Sequence, residues 1–147
     1  VLRLRRAVLA AVLLLVVGSG GAHALLPTSG PVHGACTFNA VSVHATGGTF
    51  HASGTGSCLA NGASTSGTLD ISGPLDLDVC PVKLASGAAT LSLGGSFPQL
   101  SGSARVAVHG PLSSVVFVGG LSGTGHFVEV LRGTCPADTV WTGAVAF

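Results

Sequence analysis

Tyrosine and methionine are absent from this chain, tryptophan occurs once, and only 7% of its residues are charged. Each shortage weighs against a class of function. Carbohydrate modules and single-strand nucleic-acid binders present aromatic platforms for stacking. Trp141 with Phe38, Phe50, Phe97, Phe117, Phe127 and Phe147 is no more than a small core absorbs. Cations are scarcer still once the leader described below is removed. Lys83, Arg105 and Arg132 then stand against Asp70, Asp76, Asp78, Glu129 and Asp138, a net charge of −2 where the whole chain carries +1. Three scattered cations form no basic track, so a nucleic-acid partner is not expected.

Catalytic and cofactor motifs are missing too. No G-x-S-x-G elbow and no conspicuous His-Asp pair stands out as a nucleophile's support. SGTG occurs at Ser53–Gly56 and again at Ser122–Gly125. Neither copy continues into a dinucleotide or phosphate-loop pattern, and no helical stripe follows to bind an anion. These glycines read as turn or strand glycines, with a bulge as one form. Phe50 and Phe127 each stand eight residues before a cysteine in the pattern F-x5-G-[ST]-C. Composition explains that likeness better than a true repeat.

What the chain does have begins with a leader. Arg3, Arg5 and Arg6 precede the apolar run Ala7–Val17, glycines break it, and Ala22-His23-Ala24 offers small residues to a signal peptidase. The expectation is a signal peptide over 1–24, too short to span a bilayer, with cleavage after Ala24. LPTSG at Leu26–Gly30 lies at the wrong end for a wall-sorting signal. The mature protein is thus expected to be released into the extracellular medium without a membrane anchor of its own.

The rest reads as a flexible lead-in over 25–35, rich in Pro, Gly and Ser, and a single β domain over 36–147. Short β-prone runs alternate with Gly, Pro and Ser punctuation about every ten residues, for example Thr37–His44, Thr68–Ile71, Leu75–Val79, Ala104–His109 and Thr139–Phe147. Ser72-Gly73-Pro74 reads as a turn between two of them. In Leu75–Val79 (LDLDV) the leucines and Val79 should share a half-buried face, with Asp76 and Asp78 outward. Eight or nine strands with short connections predict an all-β antiparallel fold. A closed up-and-down barrel is preferred to a sandwich, because closure removes both unpaired edges.

Cys36, Cys58, Cys80 and Cys135 in an exported chain predict two disulfides. Without any C-x2-C pair, zinc is a poor reading of them. A three-residue loop centred on Gly47 makes facing residue numbers sum to 94, which pairs Cys36 with Cys58 and leaves Cys80 for Cys135. A two-residue Gly47-Gly48 turn makes the sum 95. That register sets His44 opposite His51 and displaces Cys36, unless one bulge restores it. The bridge from Cys80 to Cys135 would close a long loop and contribute about 4 kcal/mol.

Five histidines, His33, His44, His51, His109 and His126, outnumber the remaining cations. A His44/His51 pair could hold a transition metal if both faced one side. Exposed polar strand positions are the simpler reading, so no metal, cofactor or catalytic residue is assigned. Asp70, Asp76 and Asp78 fit neither a calcium loop nor a glycosidase pair.

The arginine-rich leader, the glycine-rich β domain, the four cysteines and Trp141-Thr142-Gly143 in the last strand resemble small exported proteins of actinobacteria. That resemblance implies export and carries no activity. By subtraction, the expected function is a secreted, non-catalytic β domain that binds an unknown extracellular ligand or protein. A self-associating structural protein of the cell envelope is the alternative, and a secreted hydrolase comes third.

Overall fold

A computed structural model of the protein describes residues 30–130 and 136–147. The leader at 1–24 and Cys135 lie outside the described residues. Eight antiparallel strands follow one another around a closed barrel: β1 Gly34–Thr46, β2 Thr49–Ala60, β3 Ala63–Val79, β4 Val82–Leu93, β5 Leu100–His109, β6 Leu112–Gly119, β7 Gly123–Glu129 and β8 Asp138–Ala146. Each strand pairs with its sequence neighbours, and β8 returns to β1, from Ala35↔Ala146 to His44↔Asp138. Among the described residues there is no helix.

The alternation anticipated from sequence holds through most of the barrel. Phe38, Val43, Phe50, Leu69, Ile71, Leu91, Val106, Val115, Phe117, Phe127, Trp141 and Val145 are buried inside. Ser, Thr, His and Asp predominate on the outer wall, with scattered valines and leucines, the reverse of a lipid-facing barrel's pattern. An aromatic row crosses the lumen, with ring centroids 6.4 Å apart for Phe38 and Phe127, 5.5 Å for Phe127 and Trp141, and 5.9 Å for Trp141 and Phe50.

The first hairpin joins two registers that the sequence offered as alternatives. Gly47 and Gly48 form a two-residue turn with φ of 61° and 77°, a conformation suited to a tight hairpin. Next to it Thr46 faces Thr49 and His44 faces His51. The three-residue loop expected here is therefore not what forms. A bulge between Thr37 and Val41 then shifts the register by one, and Cys36 faces Cys58 after all. Beside the bulge, the Phe38 carbonyl accepts a hydrogen bond from the Thr142 hydroxyl at 3.0 Å. It also settles the first SGTG. Gly56 lies within β2, where a Cβ would come 2.2 Å from the Thr37 carbonyl oxygen, so the bulged backbone occupies the space of a side chain.

Two other expectations need correction. Ser72-Gly73-Pro74 is not a turn; it lies inside the 17-residue β3. Pro74 makes the final pairing with β2, opposite Thr49, where the ladder ends and a missing N–H costs little. Beyond it β3 runs on beside β4 alone, and a second irregularity falls between Leu75 and Leu77. An extra residue inverts every face that follows it. Leu75 still packs against the core, whereas Leu77 and Val79 are exposed. Asp78 comes into register with the inward Lys83.

Candidate functional site

Eight strands enclose a lumen just wide enough to be filled by side chains or to hold one small ligand. This barrel is filled at one end and leaves an open cavity at the other. At the end carrying the Asn61-Gly62 turn, the Cys36–Cys58 disulfide, Leu69, Leu91, Phe117 and Leu121 fill the interior. At the other end the β1–β2, β3–β4 and β5–β6 turns surround a cavity of about 580 Å³. Phe50 and Trp141 form its aromatic base, Val43, Ala45 and Val108 its walls, and Cys80-Pro81, joined by a cis peptide, and Gly110-Pro111 part of its rim.

Among the described residues, two charged side chains stand at this mouth, Lys83 and Glu129. Lys83 follows the inward pattern of β4, and only 8% of it is exposed. Its Nζ crosses from β4 to donate a 2.9 Å hydrogen bond to the Ala45 carbonyl of β1. The same ammonium lies 3.3 Å from the Asp78 carboxylate, which is half-exposed on the β3 extension. A buried ammonium needs such partners, because desolvation without them is costly. Glu129, at the end of β7, accepts a 2.6 Å hydrogen bond from the Thr139 hydroxyl on β8. Ser113, beside Val108 in the β5–β6 pairing, is buried, and its hydroxyl has no hydrogen-bond partner among the described residues.

Of the cysteines and histidines singled out in the sequence, only Cys80 lines this cavity among the described residues. Cys36 and Cys58 are bridged at the filled end. Cys80 is disulfide-bonded at the rim of the cavity, and its expected partner Cys135 lies outside the described residues. His33, His109 and His126 are exposed. His44 and His51 face outward side by side, held by carboxylates on the flanking strands: His44 Nδ1 contacts Asp138 Oδ1, and His51 Nε2 lies 2.9 Å from Asp70 Oδ2. Two His-Asp pairs therefore exist where the sequence showed none, because residues 94 and 19 positions apart meet only through strand register. No group of three or more His, Cys, Asp or Glu side chains is gathered for a metal among the described residues.

Lys83 was missed for a physical reason. It sits between Val82 and Leu84, so simple alternation turns it outward. Its inward position follows from the register of β4, in which Ala85, Ala89, Leu91 and Leu93 are buried.

Fold and cavity define a closed eight-stranded up-and-down β-barrel with one filled and one open end. The chain matches no protein-family model, no curated protein and no solved structure.

Proposed function

We propose that the protein is an exported, non-catalytic barrel that binds one small, largely apolar molecule in its open end. The observation that carries this reading is the cavity itself. Its volume lies within the range of small-molecule sites, which pair apolar walls with a few placed polar groups. Lys83 and Glu129 supply hydrogen-bonding capacity at the mouth, and the aromatic base supplies contact area. The disulfide is compatible with an oxidising extracellular location, and the leader read in residues 1–24 supports export.

Self-association is the second reading. Closure of the barrel leaves no open strand edge for edge-to-edge assembly among the described strands. What favours it now is a set of outward apolar residues on β6 and β7, Leu112, Val116, Val118 and Val128, each about half exposed. Sedimentation across a concentration series separates the two readings.

The test of binding uses the only tryptophan in a chain without tyrosine. Trp141 borders the cavity, so its emission should shift when an apolar ligand enters. Native mass spectrometry of protein taken from its own medium would reveal the bound mass. Val108→Phe should fill the cavity and abolish both signals while the barrel stays folded. A Val108→Phe protein that still binds with full affinity would refute the lumen as the site.

A further inference from the structure

We infer that the outer wall carries a binding site for one divalent transition-metal ion of the imidazole-binding class, Zn²⁺, Cu²⁺ or Ni²⁺, held by His44 and His51. The Gly47-Gly48 turn places these residues directly opposite each other on β1 and β2. Facing residues in an antiparallel pair have Cβ atoms roughly 5 Å apart, so two imidazoles there can converge on one ion. Both rings are half-exposed, so an ion reaches them from solvent. They border a shallow hollow of about 290 Å³ that also includes Ser42, Asp138 and Thr139.

The carboxylates decide which nitrogens are available. A carboxylate accepts a hydrogen bond, so His44 carries its proton on Nδ1 toward Asp138 and His51 carries its own on Nε2 toward Asp70. In the neutral rings this leaves lone pairs on His44 Nε2 and His51 Nδ1, neither of which has a partner among the described residues. A carboxylate behind each ligating imidazole is the arrangement that fixes the tautomer and raises ligand basicity at metal sites. Two protein nitrogens leave the remaining coordination positions to water, which makes this an open site. It lies outside the lumen and does not depend on the binding reading above.

The test is calorimetric titration of the purified full chain with Zn²⁺, and separately Cu²⁺, at neutral pH in a non-chelating buffer. One equivalent should bind, at least tenfold more weakly in His44→Ala and in His51→Ala, and unchanged in His109→Ala. Asp138→Asn should weaken binding by about tenfold without abolishing it, the cost typical of losing a carboxylate behind a ligand. Imidazole proton resonances provide a second readout: His44 and His51 should respond to the ion together, ahead of His33 and His126. Unchanged Trp141 emission confirms that each variant is folded. Absence of measurable binding, or equal binding by the His44→Ala/His51→Ala double variant, would overturn the site.

Discussion

Gly67 on β3 should change the sign of its effect on stability according to whether the neighbouring disulfide is present. A Cβ added there would lie 2.3 Å from Cys58 Sγ and 3.2 Å from Cys36 Sγ. Neither sulfur can swing aside, since each is tied to the other and to a paired strand. Gly67→Ala should therefore cost about 1–3 kcal/mol, the usual range for overpacking a filled core. Cys36→Ala/Cys58→Ala removes both obstacles. By itself that double change should cost about 3 kcal/mol, the loop-entropy value for a sequence separation of 22. The nearest remaining atom is then Leu91 Cδ1 at 3.4 Å, an ordinary contact. In that background Gly67→Ala should stabilise by about 0.5–1 kcal/mol, through reduced freedom of the unfolded chain and a partly refilled void. The coupling between the sites, the difference between those two effects, amounts to about 1.5–4 kcal/mol, in the upper part of the range for contacting residues or above it. Urea unfolding of the four proteins, followed by Trp141 emission, measures it. Equal destabilisation by Gly67→Ala in both backgrounds would refute the packing argument.

Lys83→Met should destabilise the barrel by about 1–2 kcal/mol, because it leaves the Ala45 carbonyl at the mouth without its donor. Asp78→Asn should cost less than about 1 kcal/mol, since that carboxylate is half in solvent; equal losses in the two urea melts would contradict this ranking. Ser113→Ala should raise stability by about 1 kcal/mol in the absence of ligand, as it removes a buried hydroxyl with no partner among the described residues. Urea unfolding checks this, and a loss of stability in Ser113→Ala would refute it.

The barrel was legible because its signals are local and repeated: two-residue turn chemistry, alternation, and connections too short for crossover helices. Pairing of Cys36 with Cys58 was also legible, though for an incomplete reason. The sum rule that produced it assumed a three-residue loop, and the correct pairing arises from a two-residue turn plus a bulge. A bulge leaves almost no mark in composition, yet it reverses every side chain beyond it. The same effect misled the reading of LDLDV, where the irregularity after Leu75 turns Leu77 outward and brings Asp78 into register with Lys83. The candidate sites were illegible for a different reason. Lys83 with Ala45, Asp138 with His44 and Glu129 with Thr139 lie on separate strands, and only closure and register bring them together.

The distribution of side-chain size explains why the lumen is open at one end alone. Inward positions at the filled end carry leucine, phenylalanine and the disulfide. Those at the mouth carry Ala45, Val43 and Val108, with Lys83 laid across toward β1. An 8-stranded cylinder has nearly constant width, so smaller residues leave space that no backbone adjustment closes. Atoms lining such a space lose dispersion contacts on one side, and a barrel this poor in charge and aromatics has few other sources of stability. A molecule that fills the cavity restores those contacts and stabilises the folded state by mass action, about 2.7 kcal/mol at a hundredfold excess over its dissociation constant. The cis Cys80-Pro81 turn and the Cys80 disulfide stand at the rim of that same end. The Cys80 cross-link therefore lies at the end where packing is thinnest.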